Sequence, residues 1–215
     1  MYPSVRQRFI AFNQQFEGRM PVMYLDTHKP PLVTTGVGNL IDPVAEALQL
    51  PFEWKHVIPR RLATPQEIEE EWNHVKSLTN LSQSPASIWG TVTRLFLNDA
   101  AMDNLIYQRL DANEAILKKR WAAQSNYATW PADAQLGLHS MAWAMGPGFN
   151  FPQFAQCCAN GDFAGAAAQC HMADTNNPGL VPRNRANYRL FMNAAQVMTR
   201  AGTLSPAMLY YPQIL

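Results

Sequence analysis

Residues 16–39 read FEGRMPVMYLDTHKPPLVTTGVGN, and the rest of the chain is interpreted from them. The stretch opens with Glu17 directly before a glycine and continues into an apolar run that ends on Asp26, nine residues later. It closes with a threonine pair, Thr34 and Thr35, before a Gly-Val-Gly sequence. This order predicts that Glu17, Asp26 and Thr34 lie around one small cleft.

A helix is predicted immediately before this cleft. Residues 3–16 carry apolar side chains at a spacing near 3.6, which is typical of an amphipathic helix. The prediction places Glu17 at the C-terminal end of this helix, and Gly18 is a suitable stop because glycine commonly follows the last helical residue.

A β-hairpin is predicted within the stretch. Residues 22–27 alternate as in a strand, with Tyr24 and Asp26 on one face. The two prolines in residues 28–31 cannot continue a ladder and predict the turn. Residues 32–35 are then the returning strand.

The same residues resemble the catalytic signature of the phage-type lysozymes, the muramidase endolysins. The resemblance rests on Glu17 after the first helix, Asp26 in YLDT and Thr34 in VTTGVGNLI. A second block is similar to the C-terminal lobe of that family in order and spacing; it comprises SMAWAMGPGF at 140–149, NGDFAGA at 160–166 and GLVPRNRA at 179–186.

The resemblance implies an α+β, mainly α-helical fold with a small β-hairpin lobe and a larger helical lobe. It also implies hydrolysis of the bond between N-acetylmuramic acid and N-acetylglucosamine in peptidoglycan. Glu17 would be the general acid, which partial burial keeps protonated, while Asp26 and Thr34 would hold a water on the opposite face of the sugar. Such an arrangement inverts the anomeric centre and separates the carboxyl groups by roughly 6.5–9.5 Å.

Further residues are expected to contact substrate or to orient the acid. Tyr24 shares the face of Asp26, while Gly36 and Gly38 let a ligand approach the backbone closely. From the resemblance, Arg185 would pair with Glu17, and Trp143 would line the sugar groove. A core tryptophan is the alternative for Trp143, and Thr35 is a second candidate for the role of Thr34.

The resemblance predicts a single lysozyme-like domain over residues 1–215. Its parts are a first helix at 3–16, a hairpin lobe at about 17–63, an inserted helical segment at about 64–95, a connecting helix at about 98–122 and a helical lobe at about 130–202.

Several local features refine these parts. Asp42 is predicted to cap a short helix that runs to residue 50. Thr64 and Glu67 form a capping box that opens a longer helix. The acidic face of that helix is expected to be solvated; it comprises Glu67, Glu69, Glu70 and Glu71. Another helix is predicted to run from Asn184 to residue 201, and a tail at 204–215 is expected to pack on the core.

Composition limits the classes of partner. With 215 residues, 47% of them apolar, the chain can bury a sizeable core. Its 17 basic and 16 acidic residues give a net charge of +1, which does not favour nucleic-acid binding. No apolar run reaches the length of a membrane span, and the N-terminus lacks the apolar core of a secretory signal. We therefore expect neither a nucleic-acid nor a membrane partner, and a monomer.

Cysteine and histidine spacing does not predict a cofactor or a metal. Cys157, Cys158 and Cys170 are interpreted as small buried thiols, although a bridge from either of the first two to Cys170 is geometrically conceivable in an oxidising compartment. The 5 histidines show no HxH or HxxxH pairing.

Alternatives to hydrolysis remain open from sequence. A lytic transglycosylase would use Glu17 alone, and a wall-binding module would use none of the catalytic groups. A muramidase without a signal must reach peptidoglycan in the periplasm or at the cell wall by release, as an endolysin, or by delivery through a secretion machine. As an antibacterial effector it would require a dedicated immunity protein as a partner.

Overall fold

The computed structural model describes residues 1–82, 84–121, 127–175 and 177–213. These residues form α-helices and small antiparallel sheets, which confirms the predicted α+β, mainly helical class. The chain divides into two compact units. Unit 1 combines Met1–Phe16 with Gln108–Leu215, and unit 2 is Glu17–Tyr107.

Unit 2 contains the sheets and the shorter helices. Its strands are β1 Met20–Leu25, β2 Val33–Gly36, β3 Asn39–Leu40, β4 Glu53–Trp54 and β5 Leu95–Phe96. Its helices are α2 Val44–Ala47, α3 Pro65–Ser77, α4 Ala86–Val92 and the first part of α5 Asp99–Trp121, with a 3₁₀ turn at Thr79–Leu81. β1, β2 and β3 form one antiparallel sheet, and β4 pairs with β5 in a second.

Apolar side chains from both sheets and from α3, α4 and α5 form one core in unit 2. Its members include Met23, Val33, Phe52, Trp89 and Leu105, all buried. The predicted capping box opens α3: Glu67 N donates to Thr64 Oγ1 at 3.3 Å, and Thr64 N donates to Glu67 Oε2 at 2.8 Å. Within the segment 64–95, α3, α4 and β5 therefore contribute side chains to the same core as the hairpin.

Two expectations in this unit were wrong. Glu71, predicted on a solvated face, is fully buried; its carboxylate accepts the Leu95 N–H at 3.2 Å and the Arg94 Nε–H at 2.9 Å. Asp42 does not cap α2, which ends at Ala47. Its carboxylate instead accepts the Val33 N–H at 3.1 Å and pairs with Lys76, so it joins β2 to α3.

Unit 1 is helical. Its elements are α1 Pro3–Asn13, the second part of α5, a 3₁₀ turn at Tyr127–Thr129, α6 Ala132–Met145, α7 Pro152–Ala159, α8 Phe163–Gln169 and α9 Leu180–Thr199. α6 lies at the centre, because every residue from Ala132 to Trp143 is buried. A Cβ on Gly137 would come within 2.8 Å of the Phe191 ring, so this glycine lets α9 pack closely on α6.

The two terminal helices differ from their predicted bounds. α1 ends at Asn13, three residues early, and the chain turns at once because Phe16 N donates to Asn13 O at 3.0 Å. α9 begins at Leu180 rather than Asn184. Pro182 is tolerated there because a residue in the first helical turn needs no intrahelical N–H donor.

The C-terminal tail is tied to unit 1, as expected. Asp133 is fully buried, and its carboxylate accepts the N–H groups of Tyr210 at 2.9 Å and Tyr211 at 3.0 Å. Asn193 Nδ2 donates to the same carboxylate at 3.1 Å and to Gln213 O at 2.9 Å. Burial raises the pKa of Asp133, although these hydrogen bonds oppose the shift. One buried acid therefore holds the tail.

A buried histidine on α6 makes unit 1 sensitive to acid. His139 Nε2 lies 2.8 Å from Tyr127 Oη, and burial lowers the pKa of His139 from 6.5 to about 3. A depressed pKa means that the neutral imidazole stabilises the fold above about pH 6.5, and that this stability is lost as pH falls toward 3.

We expect the stability difference between the wild type and His139→Gln, which keeps a partner for Tyr127, to depend on pH. The wild-type advantage should shrink by about 1.4 kcal/mol for each pH unit below about 6. Urea unfolding of both proteins between pH 4 and 7 measures it. A difference that stays constant over this range would mean that His139 titrates normally in the fold.

None of the helices in the described part of the chain is long and apolar enough to span a lipid bilayer.

Candidate active site

The β1–β2 hairpin brings two of the predicted catalytic residues onto one face. Tyr24 pairs with Thr34 across the antiparallel strands, and Asp26 N donates to Leu32 O at 3.0 Å, which continues the same register. Residues directly opposite each other share a face, and so do residues two apart on one strand. Tyr24, Asp26 and Thr34 therefore project from the same side of the hairpin.

Asp26 and Thr34 also converge on one atom. Leu32 O accepts both the Asp26 N–H and, at 3.3 Å, the Thr34 hydroxyl. Thr34 is buried, and its oxygen keeps lone pairs that can accept a hydrogen bond from water. The hairpin therefore fixes the aspartate backbone and the threonine hydroxyl within two hydrogen bonds of each other.

The carboxylate of Asp26 is held by its own turn. Oδ1 accepts the N–H groups of His28 at 3.0 Å and Leu32 at 2.9 Å, while Oδ2 lies 2.7 Å from His28 Nδ1. Partial burial alone raises the pKa of Asp26, but these hydrogen bonds outweigh it and lower the pKa. A carboxylate has about four acceptor sites, so about one remains for a water molecule.

Thr35, the second candidate for the threonine role, has a different environment. Its side chain is fully buried and donates to Val22 O at 3.1 Å, so it ties β2 to β1 inside the unit. Successive residues on a strand face opposite sides, and only Thr34 shares the face of Asp26. The geometry therefore favours Thr34, as the sequence did.

Tyr24 links the two carboxylates electrostatically. Burial and, to a smaller extent, the negative charges of Asp26 and Glu17 raise the pKa of Tyr24 to about 12. The tyrosine stays protonated at neutral pH and can donate a hydrogen bond to a substrate.

Glu17 is half-buried on a bend, four residues after the end of α1 and three before β1. The segment that follows it is anchored by Arg19, whose Nη1 donates to Asp103 at 2.7 Å and whose Nη2 lies 3.2 Å from Asp99. Both aspartates belong to the first two turns of α5. The chain directly after Glu17 is thereby held against the start of α5 within unit 2.

Gly36 and Gly38 shape the β2–β3 turn. Their φ angles are 66° and 78°, values that favour glycine, and the turn brings Thr35 opposite Asn39. A Cβ on Gly36 would lie 3.1 Å from Asn39 Oδ1. These conformational demands account for both glycines, and contact with a substrate stays a prediction.

The two predicted site residues of unit 1 lie in contrasting environments. Trp143 is 3% exposed; its ring packs 5.2 Å from that of Phe9, and the Arg109 guanidinium lies 4.2 Å above it. This agrees with the core-tryptophan alternative, because a ring that is 3% exposed offers almost no surface on which a sugar could stack. Arg185, in contrast, is exposed on α9 and lines a cavity.

The buried arginine of α9 is Arg183, two residues earlier. It is 1% exposed, its guanidinium lies 4.7 Å above the Phe16 ring, and its Nη1 donates to Asn13 Oδ1 at 3.2 Å and Ser140 O at 3.3 Å. It therefore clamps the end of α1, from which the chain leaves directly into Glu17. The predicted pairing of Arg185 with Glu17 stays a prediction.

Three contributors were missed from sequence: His28, Arg19 and Arg183. The Asp-Thr-His order was the available signal for His28, since an aspartate commonly bonds to groups two residues on. The partners of the arginines are distant in sequence, so no local pattern marks them.

All 3 cysteines are free; Cys158 and Cys170 are buried, as interpreted, whereas Cys157 is half-buried. Burial raises the pKa of Cys170 to about 12 and raises that of Cys158 as well, which keeps both thiols protonated. In the described ranges, no group of three or more histidine, cysteine or acidic side chains is arranged to hold a metal ion.

Compared with protein-family models, with curated proteins and with solved structures, the chain matches none of them.

Proposed function

We propose that the chain is a peptidoglycan hydrolase of the phage-type lysozyme kind, a muramidase. Glu17 protonates the glycosidic oxygen between N-acetylmuramic acid and N-acetylglucosamine. Asp26 accepts a proton from a water molecule that the Thr34 hydroxyl helps to hold, and the water attacks the anomeric carbon from the other face. The leaving sugar takes the proton of Glu17, so the two carboxyl groups exchange protonation states over one turnover.

One observation carries this proposal: Asp26 and Thr34 lie on one face of the hairpin. The backbone N–H of Asp26 and the hydroxyl of Thr34 both donate to the same carbonyl oxygen, Leu32 O. The electrostatic environment supports the division of roles. The lowered pKa of Asp26 suits a group that is ionised before attack.

Digestion of purified sacculi tests the reaction type. Mass spectrometry should find reducing muramic acid ends, since water is the acceptor, and proton NMR of the first products should show the inverted anomer. Products with 1,6-anhydro ends would identify a lytic transglycosylase that uses Glu17 alone. Sacculi that bind the protein without any cleavage would identify a wall-binding module.

The adjacent threonines form a matched pair. We expect Thr34→Val to lower kcat by about 10- to 100-fold with little loss of stability, because its hydroxyl serves the attacking water. Thr35→Val should leave kcat nearly unchanged and cost about 1–3 kcal/mol of stability, because Val22 O loses its buried donor. Turnover on sacculi and urea unfolding measure the two effects. The reverse pattern would transfer the role to Thr35.

How the enzyme reaches the wall is part of the proposal. Release as an endolysin and delivery as an antibacterial effector both bring it to peptidoglycan, and only an effector requires an immunity protein.

A further inference from the structure

The loop that joins β4 to α3, residues 55–62, carries the most exposed large apolar side chain in the described ranges of the chain. Ile58 is 96% exposed, whereas the other exposed side chains of this kind lie between 39% and 60%. One of them, Leu62 at 60%, belongs to the same loop. Single apolar side chains on a surface are ordinary, so the surroundings of Ile58 decide what it can do.

Both ends of the loop are fixed to unit 2. At one end, Ala63 N donates to Phe52 O at 2.7 Å, and Phe52 is fully buried in the core. At the other end, Lys55 Nζ donates to Gly90 O at 2.9 Å and to Thr93 O at 2.7 Å. Because the loop is short and held at both ends, its apolar tip stays in contact with solvent.

Positive charge accompanies this apolar tip. The loop reads KHVIPRRL and contains no acidic residue. Arg61 is neutralised by Glu67, whose two carboxylate oxygens it contacts at 2.8 and 2.6 Å. Arg60 is exposed, lies 5.0 Å from the centre of the Phe96 ring, and pairs with no carboxylate in the part of the chain that the structure describes. The loop therefore combines an uncompensated cation with exposed apolar surface.

This combination suits the surface of an anionic lipid bilayer. An apolar side chain is stabilised at the boundary between headgroups and acyl chains, and each cation near an anionic surface strengthens binding about fivefold. A fluid bilayer accepts a projecting tip without a preformed pocket, whereas a protein partner must supply one that is both concave and acidic. A contact at the lipid surface needs no membrane span, so the missing apolar run, from which no membrane partner was expected, does not bear on it.

We propose that the loop at 55–62 docks the protein on an anionic lipid surface, with Ile58 inserted at the acyl boundary and Arg60 at the headgroup phosphates. The loop contains none of the residues assigned to catalysis, so the proposal is independent of the muramidase. For a muramidase, the contact would hold the enzyme at the membrane that underlies the wall.

Sedimentation of the full chain with lipid vesicles tests the proposal. The probes are vesicles of equal parts phosphatidylglycerol and phosphatidylcholine, and vesicles of phosphatidylcholine alone, each at about 50 mM and about 500 mM NaCl. We expect binding to the anionic vesicles at low salt. The affinity should fall at least about tenfold at high salt, because salt screens exposed charges, and likewise on the neutral vesicles.

Three variants assign the binding to the loop. Ile58→Ser should weaken binding to the anionic vesicles at least about tenfold, because the apolar group that enters the lipid is lost. Arg60→Gln should weaken it about fivefold. Ile116→Ser is the matched control and should leave binding unchanged, since Ile116 is 49% exposed on α5 in unit 1, away from the loop. All three positions are exposed, so the variants should unfold at the wild-type midpoint.

Absence of wild-type binding to the anionic vesicles, equal binding by Ile58→Ser, or equal affinity for both kinds of vesicle would each overturn the proposal. Retention of the wild type on immobilised poly-L-glutamate but not on vesicles, lost in Ile58→Ser, would also overturn it and indicate an acidic protein partner. Vesicle binding that depends on Ile58, without cleavage of sacculi, would leave the lipid contact assigned and refute the muramidase.

Discussion

The Glu17→Gln variant is expected to lose cleavage of purified sacculi by about 10²–10⁴-fold, because an amide cannot protonate the leaving oxygen and this is the usual contribution of general acid catalysis. The amide keeps the shape of the side chain, so the fold should be preserved. The measurement is the release of reducing ends per enzyme per minute.

A second glutamate in the same unit supplies the control for this loss. Glu69 is exposed on α3, in the same unit, and Glu69→Gln removes the same charge. We expect its turnover to match the wild type, and thermal unfolding to give similar midpoints for all three proteins. Near wild-type turnover by Glu17→Gln would remove Glu17 from the mechanism and the muramidase proposal with it.

The second large effect is expected for Asp26→Asn, with kcat lower by about 10²–10⁴-fold because the attacking water loses its base. The substitution separates catalysis from folding. An amide oxygen can still accept the N–H groups of His28 and Leu32, which bond to Oδ1 in the wild type. The hairpin should therefore keep its turn, and its stability should change little.

The anionic role of Asp26 also predicts a pH dependence. Its pKa lies below the usual 3.8, so the wild-type rate should stay on its plateau as pH falls to about 4 and decline only below that. His28→Gln weakens one contact to Oδ2 and should move this decline to a higher pH.

Full activity in Asp26→Asn would mean that the aspartate serves only to hold the turn, a role that its three contacts already fulfil.

Local patterns in the sequence predicted the elements whose causes are local. The Thr64 capping box opens α3, and α1 begins at Pro3, where the apolar spacing predicts a helix. The hairpin register also follows from alternation and from the prolines of the turn. In each case the deciding residues lie within a few positions of the element that they define.

Features decided by distant partners were missed. β4 and β5 have two residues each and pair across about forty positions, so neither shows a periodic signal. Glu71 lies in a run of glutamates typical of a solvated face, yet its side chain is buried. Its carboxylate accepts hydrogen bonds from the backbone N–H groups of Arg94 and Leu95. Trp143 was interpreted from its place in a motif, whereas Phe9 and Arg109 decide its burial.

Unit 1 is assembled from both ends of the chain, since α1 packs on α6 although more than a hundred residues separate them. A ribosome releases the N-terminus first, at about 5–20 residues per second. α1 therefore waits several seconds, unpartnered and with an apolar face, while the contiguous unit 2 emerges and can fold. Helix packing that completes unit 1 comes only late in synthesis, so the apolar face of α1 stays exposed on the nascent chain until then.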